Sequence, residues 1–294
     1  MTRALLLCIA LTLLSAPPGR AADLLILQSS RGQAYTQALR GFHAVSKASY
    51  KTTVLSDYAE VDVERLVKEE RPRLVLAVGD KALLALGKLR DMPVVALLSL
   101  SLNLQKKHAD NIGGIAMVAA PEQFLKVFSS LGVKNIGVLF DPDKTGHYLK
   151  RIGRDSRQLG LTLVAEPVTD SRDFQAKLGK IKGSVDALWM LPDSTVVTTV
   201  NMEAFLMFSI ANKLPVVTFS SRYLESGAAA SLDVDYADLG QQAGEMTASL
   251  LASGTIRKVP TVDPRKTVLR TNDSVIRKLG KEASKATPVN PSRN

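Results

Sequence analysis

The stretch that decides the fold spans residues 186–251, where apolar segments alternate with polar tips. The apolar segment ALWML at 187–191 leads into PDST at 192–195. A helical pattern follows, and the apolar segment LPVVTF at 214–219 then ends at Ser220. A strand, a polar tip, a helix and a second strand in this order indicate a parallel α/β sheet, in which ligands bind beside the carboxyl ends of the strands.

The same alternation of strands and helices occurs twice along the chain. Residues 23–98 contain four apolar strand patterns separated by three amphipathic helical patterns. A second series begins with a helical pattern at 121–131 and continues into the stretch at 186–251, which closes with a helix of small residues. Two such series predict the α/β class, with two lobes that each contain a parallel sheet.

The first 22 residues have the pattern of a secretory signal peptide. Met1-Thr2-Arg3 is a short basic start, residues 4–14 are apolar apart from Thr12, and small residues precede a cleavage region near Ala22. The alternative is a membrane anchor, but the apolar run is shorter than the roughly 20 residues of a spanning helix. The pattern therefore predicts export to the periplasm.

Cysteine usage limits the chemistry of the mature protein. Cys8 is the only cysteine and lies inside the apolar run. Removal of the signal peptide would leave no thiol, so we expect neither a disulfide nor a thiolate metal site.

The net charge of +10 is concentrated near the end of the chain. Residues 257–294 contain ten Lys or Arg and three acidic residues. This segment is either a solvated end with a disordered tail at 281–294, or a contact for an anionic membrane surface or partner. Nucleic acid is disfavoured as a partner by the export signal and by the lack of interleaved aromatic residues.

No pattern typical of an enzyme is present. The three histidines, His43, His108 and His147, lack a second metal ligand at helical spacing. The sequence has no nucleophile elbow, no phosphate loop and no dinucleotide fingerprint. We therefore predict that the protein is not an enzyme and uses no cofactor and no metal.

Polar residues at the predicted strand ends are the candidate ligand-binding residues, because directed hydrogen bonds in a buried cleft fix a small ligand. These residues are Ser29, Ser30, Asp80, Ser99, Asp141, Asp193, Ser194, Thr195 and Ser220. The alternative is that they cap helices, since the same residue types do so at the same places. For Trp189 and Tyr236 the interpretation is a core position rather than a ligand-stacking platform.

Four segments resemble a known family. They are VDALWMLPDS at 185–194, ANKLPVV at 211–217, DVDYADLGQQAGEM at 233–246 and, more weakly, NIGVLFDP at 135–142. These segments are similar to the ABC-transporter substrate-binding proteins of the tryptophan/tyrosine type, within the type I periplasmic-binding-protein superfamily. The resemblance covers most of the second lobe and little of the first.

The resemblance implies two Rossmann-like lobes joined by a hinge, with a small organic ligand closed between them. It implies lobe 1 at 23–117 plus 232–254, and lobe 2 at 118–231 plus 255–280. It also implies a monomer that delivers its ligand to an inner-membrane ABC permease. Asp193 matches the family's aspartate at a strand tip and would pair with a ligand amine.

The first lobe departs from the family's pattern. Family members have a Gly-Thr-Pro-like turn after the third strand, whereas this chain has Gly79-Asp80-Lys81. Asp80 is predicted to cap its helix, which would fill the free amides and repel a ligand carboxylate. Residues 98–102, LSLSL, replace the family's Asp-Pro with an apolar segment. The identity of the ligand therefore stays open. The alternative function is a periplasmic sensor or interaction module with an altered site.

Overall fold

The computed structural model describes residues 22–104, 109–152, 155–254 and 256–280. The strands are β1 (Leu24–Gln28), β2 (Tyr50–Val54), β3 (Leu74–Val78), β4 (Val94–Leu97), β5 (Ile112–Ile115), β6 (Asn135–Phe140), β7 (Thr162–Pro167), β8 (Ala187–Met190), β9 (Val216–Thr218), β10 (Ala230–Val234), β11 (Thr261–Val262) and β12 (Thr267–Thr271). The signal-peptide pattern through residue 21, His108 and the tail at 281–294 lie outside the described residues.

Eleven α-helices connect or follow these strands in the described part of the chain. They are α1 (Gln33–Val45), α2 (Val63–Glu70), α3 (Asp80–Leu86), α4 (Ser101–Leu104), α5 (Pro121–Ser130), α6 (Gly146–Lys150), α7 (Asp155–Gln158), α8 (Phe174–Lys180), α9 (Thr199–Ala211), α10 (Tyr236–Ala252) and α11 (Asp273–Lys278). Short 3-10 helices lie at Leu55–Asp57, Ser171–Asp173 and Ser221–Tyr223. Residues 145–159 have the pattern of a single helix in the sequence, but this range contains two short helices, α6 and α7.

The strands form two six-stranded sheets, one in each lobe. The first has the order β11-β5-β4-β3-β1-β2 and is parallel throughout. The second has the order β12-β10-β9-β8-β6-β7, in which only β12 is antiparallel to its neighbour. Every residue of β1, β3, β4 and β8 is buried, as expected for apolar strands covered on both faces. The predicted α/β class with two parallel-sheet lobes is confirmed.

Three segments cross between the two sheets. They connect β5 to α5, β10 to α10, and β11 to β12. The family resemblance implies that residues from 232 belong to the first lobe and residues from 255 to the second. The structure places β10 in the second sheet and β11 in the first, because β10 pairs with β9 and β12 while β11 pairs with β5.

The helix α10 returns from the second sheet and packs on α1. A Cβ atom added to Gly240 would lie 1.8 Å from the carbonyl oxygen of Ala38, and one added to Gly41 would lie 1.9 Å from that of Ala237. Glycine is therefore required at both positions. The small-residue pattern of α10 follows from this close approach of two backbones.

The core of the second lobe is centred on Trp189, which is 0% exposed. Its ring packs against Phe124, Phe128 and Tyr148, with ring centroids 5.1, 5.8 and 6.0 Å away. The interpretation of Trp189 as a core residue is confirmed. No helix in the described ranges is both long and apolar enough to cross a bilayer.

Candidate functional site

Two neighbouring cavities lie where the strands of both lobes end, and we call them together the interlobe cleft. The apolar cavity, of ≈ 180 Å³, is lined by Leu100 of the first lobe and by second-lobe residues that follow β8 and β9, among them Phe219 and Tyr223. The charged cavity, of ≈ 370 Å³, is lined by Gln37 of α1 and by residues around β10. Arg222 lines both cavities and joins them.

Asp193 follows β8 and is 1% exposed. Its Oδ2 accepts hydrogen bonds from the backbone N–H of Asp141 at 2.7 Å and from the hydroxyl of Thr145 at 2.6 Å. Its Oδ1 accepts from the backbone N–H groups of Thr195 at 3.0 Å and Val196 at 3.3 Å. The carboxylate therefore joins the tips of β6 and β8 with four internal donors.

Asp141, Lys144, Ser194 and Thr195 extend this network toward solvent. The hydroxyl of Thr195 donates to Oδ2 of Asp141 at 2.6 Å, and Oδ1 of Asp141 accepts from the backbone N–H of Asp143 at 2.9 Å. Lys144 Nζ donates to the hydroxyl oxygens of Thr195 at 2.6 Å and Ser194 at 2.9 Å. Only Ser194 in this set of candidate residues is exposed.

The candidate residues of the first lobe form a second network, and one prediction about it is wrong. Asp80 does not cap its own helix. Its Oδ1 accepts from the hydroxyl of Ser99 at 2.5 Å, and from the backbone N–H of Ser101 at 3.1 Å and its hydroxyl at 2.8 Å. Asp80 is the first residue of α3, so its side chain reaches the neighbouring turn after β4 rather than its own amides.

The capping role in α3 belongs to Ser29. Its hydroxyl oxygen accepts from the backbone N–H of Ala82 at 2.9 Å, across 53 residues of sequence. Gly79 precedes the helix at a φ of +94°, and a Cβ there would lie 2.5 Å from the hydroxyl oxygen of Tyr35. The neighbouring Ser30 accepts from the side-chain amide of Gln28 through its carbonyl oxygen at 2.6 Å. These contacts are structural ones within the first lobe.

Arg222 is the residue of the cleft that sequence reasoning missed. It lies in the 3-10 helix that follows Ser220, so its signal was the polar segment Ser220-Ser221-Arg222 directly after a predicted strand. Its guanidinium carbon lies 4.5 Å from the ring centroid of Tyr223, to whose hydroxyl it also donates a hydrogen bond. Among the described residues, no carboxylate oxygen lies within 4.0 Å of its nitrogens.

The acidic residues of the charged cavity have basic partners. Asp233 Oδ2 lies 3.3 Å from Arg270 Nη1 and accepts from the hydroxyl of Ser231 at 2.6 Å, while its Oδ1 accepts from the backbone N–H of Ser221 at 2.8 Å. Asp235 caps α10 and lies 2.6 Å from Lys266 Nζ. Burial raises the pKa of Asp235, but hydrogen bonds, first of all from Lys266, outweigh burial and hold the pKa below 3.8.

Tyr236 starts α10 and lines the charged cavity. Burial raises the pKa of its phenol, the charge of Asp233 adds to this effect, and Arg222 opposes it. The interpretation of Tyr236 as a core residue is therefore only partly right, because the side chain is half-buried at the cavity wall. Within the described ranges, no group of three His, Cys, Asp or Glu is placed to hold a metal ion.

Of the nine candidate residues, Asp193, Ser194 and Ser220 line the interlobe cleft. Asp141 and Thr195 lie directly behind Asp193, whereas Asp80 and Ser99 contact each other in the first lobe. Ser29 and Ser30 are held by contacts within the first lobe.

Two α/β lobes joined by three crossing segments, with a cleft at the strand ends, define the class of two-lobed ligand-binding proteins. The profile of the family described as "ABC transporter substrate binding protein" matches residues 41–292. The chain belongs to this family, and the resemblance seen in the sequence is confirmed.

Individual relatives are distant. A curated "Tyrosine-binding protein" from Clostridioides difficile is 23% identical over 181 residues, which are 59% of this chain and 51% of the relative. The chain thus spans about half the length of the curated relative that it matches.

Solved structures share the fold. A ligand-free, open structure of a substrate binding protein with adhesive properties from Clostridium difficile has a TM-score of 0.65 at 18% identity, and the match covers 93% of this chain and 99% of that one. An ABC domain from Streptococcus pneumonia in complex with L-Trp has a TM-score of 0.60 at 19% identity, with 90% and 96% covered. A conserved domain protein from Vibrio cholerae has a TM-score of 0.61 at 20% identity, with 91% and 97% covered.

Proposed function

We propose that the protein is the extracytoplasmic solute-binding component of an ABC transporter. It binds a small organic ligand in the interlobe cleft and delivers it, as a monomer, to an inner-membrane permease. Family membership supports the transporter role, and the signal-peptide pattern in residues 1–22 supports a periplasmic location. The proposal includes no catalysis, no cofactor and no nucleic acid.

The observation that carries this proposal is that residues of both lobes line the cleft. Leu100, which follows β4 of the first sheet, lines the apolar cavity together with Phe219 and Tyr223 of the second lobe and packs against the second-lobe core. Gln37 of α1 contributes to the charged cavity. A ligand that contacts both walls would favour the state in which the lobes are close together, so binding and closure are coupled.

The three crossing segments act as the hinge in this proposal. Two of them are joined by the backbone N–H of Asp235 in the crossing after β10, which donates to the carbonyl of Lys266 in the crossing after β11 at 3.3 Å. An ion pair of 2.6 Å links Arg151 of the second lobe to Asp263 in the crossing after β11. A partly exposed ion pair of this kind contributes little free energy, so it can break at little cost if the lobes move.

Ser194 and Ser220 are the proposed polar ligand contacts among the candidate residues, because they line the cleft and are more exposed than Asp193, which also lines it but is 1% exposed. Asp141, Asp193 and Thr195 shape the edge behind them, and Asp80, Ser99, Ser29 and Ser30 shape the first-lobe side. The relatives make an aromatic amino-acid-like compound one candidate ligand, since one is named for tyrosine and another was solved with L-Trp.

The second candidate function is a periplasmic sensor or interaction module of the same fold. It is favoured by the first-lobe turn, where the charged Asp80, held by Ser99 and Ser101, takes the place of the uncharged threonine that the family resemblance implies. The basic segment at 257–294 would then contact the partner. Co-purification with a sensor protein rather than with a permease would favour this function.

Native purification followed by mass spectrometry of the denatured protein tests the proposed function. We expect a stoichiometric small molecule to be released, and we expect that molecule to bind the emptied protein below millimolar concentration in calorimetric titration. Release of no small molecule, together with no binding across metabolite pools that include aromatic amino acids, would contradict solute binding.

A further inference from the structure

We infer that the ligand carries a carboxylate that Arg222 of the second lobe binds, and that binding does not require an amine on the ligand. The inference rests on the proposed function, because it assigns a chemical class to the ligand of the same cleft. It concerns organic acids with an apolar body, of which an α-amino acid is only one kind.

Arg222 is an exposed cation of the cleft that forms no ion pair with a carboxylate among the described residues. Asp233 is paired with Arg270, and Asp235 with Lys266, so the two acids of the charged cavity are balanced by cations other than Arg222. In the part of the chain that the structure describes, Arg222 has no acidic partner within 4.0 Å. A ligand anion would supply the charge that the protein does not.

The surroundings of Arg222 also hold it in place for this role. Its guanidinium lies against Tyr223, 4.5 Å from the ring centroid, and the ring of Tyr223 packs on that of Phe219 at 5.5 Å. The N–H donors of a guanidinium point outward in its own plane, so stacking on an aromatic face leaves donors available for a ligand. These donors form a planar fork that matches the two oxygens of a carboxylate.

The carboxylates near the cleft have little capacity left for a ligand amine. Asp193 already accepts four hydrogen bonds and is 1% exposed. Asp80 lines neither cavity, and its Oδ1 accepts three hydrogen bonds from Ser99 and Ser101 in the first lobe. Asp233 accepts from Ser221 and Ser231 and is paired with Arg270. An ammonium group would have to displace one of these internal donors, which costs free energy.

The apolar cavity indicates what the rest of the ligand is. It adjoins Arg222, and its walls include Leu100, Val197, Phe219 and the ring of Tyr223. These side chains favour a flat or branched apolar group, whose burial adds affinity in proportion to the area removed from water. The carboxylate at Arg222 and the apolar body beside it together define the ligand class.

Three probes that share a hydroxyphenyl group and differ in their charged groups test the inference by calorimetric titration. They are 3-(4-hydroxyphenyl)propanoate, which has only the carboxylate, L-tyrosine, which has carboxylate and amine, and tyramine, which has only the amine. We expect the propanoate to bind at least as tightly as L-tyrosine and at least about tenfold more tightly than tyramine, since it alone matches Arg222 without an unpaired ammonium.

Variants of Arg222 locate the effect. Arg222→Gln should weaken propanoate binding at least about tenfold, and Arg222→Lys should retain part of it, because lysine keeps the charge but lacks the fork. Arg277→Gln, on the exposed face of α11, is the matched control and should leave the affinity unchanged. A melting temperature above the assay temperature verifies that each variant is folded under the conditions of the titration.

Several outcomes would overturn the inference. They are tighter binding of L-tyrosine than of the propanoate by tenfold or more, full affinity in Arg222→Gln, and no binding of any probe below about 1 mM. The first of these would point to an amine contact, for which Asp233 is the acid to examine. Failure of the probes leaves the proposed function to its own test, because a small molecule released from the native protein would still show solute binding.

Discussion

The tips of β8 and β9 lie side by side in the second sheet, but the structure uses their polar residues differently. Asp193 at the β8 tip is buried and accepts four hydrogen bonds from its own chain. Arg222 at the β9 tip lines both cavities, and its guanidinium contacts the ring and hydroxyl of Tyr223. One tip holds the edge of the sheet together, and the other presents a charge to the cleft.

The difference shows that position at a strand tip does not by itself indicate ligand binding. A short carboxylate lies close to the backbone amides of the next turn and is readily saturated by them. A long guanidinium extends beyond those amides and keeps most of its donors. The number of unsatisfied donors and acceptors therefore separates the two roles better than the position of the residue.

The largest expected effect is on stability at the β8 tip. Replacement Asp193→Ala should lower the free energy of unfolding by ~3–5 kcal/mol, because buried donors from Asp141, Thr145, Thr195 and Val196 lose their acceptor. Urea denaturation measures the change. Asp91→Ala, at an exposed site, should stay within ~0.5 kcal/mol of the parent. A loss below ~1 kcal/mol for Asp193→Ala would break the comparison.

A smaller effect is expected for a single donor to Asp193. Thr145 is buried, and its hydroxyl donates to Oδ2 of Asp193 at 2.6 Å, so Thr145→Val should cost ~1–2 kcal/mol with little change in volume. Ser194→Ala at the exposed end of the same network should change stability by less than ~0.5 kcal/mol. Equal effects of the two substitutions in urea denaturation would show that the buried network is not the stabilising part.

The smallest effect concerns the acid at the β10 tip, Asp235, whose pKa is held below 3.8 chiefly by its partner Lys266 against the opposing effect of burial. A lowered pKa adds stability above pH 3.8, and this stability is lost as the pH falls through the folded-state pKa. Asp235→Asn keeps a capping side chain but removes the charge. We expect the variant to lose less stability than the parent between pH 5 and pH 3, as followed by acid titration of the melting temperature. A steeper loss in the variant would contradict this assignment.

The order of the elements could be predicted from the sequence, because apolar strands such as LVLAV at 74–78 and ALWML at 187–191 are bounded by polar tips. The return of α10 to the first lobe followed from the family resemblance. The continuation of β10 in the second sheet beyond residue 231 could not be predicted, since residues 232–234 pair with β12, about 35 residues later.

The partners of the site residues were harder to predict than the site residues themselves. Asp80 contacts Ser99 and Ser101 because β3 and β4 are neighbours, a fact that no local pattern contains. Ser29 caps α3 for the same reason, since β1 pairs with β3. Arg222 was missed because an arginine after a strand is most often a solvated surface residue.

Calorimetric titration of 3-(4-hydroxyphenyl)propanoate into Arg222→Gln and Asp193→Asn tests the central claim most directly, with both variants kept below their melting temperatures. The two-tip account predicts a loss of about tenfold or more in affinity for Arg222→Gln and a change within about threefold for Asp193→Asn. A tenfold loss in Asp193→Asn with unchanged affinity in Arg222→Gln would contradict it.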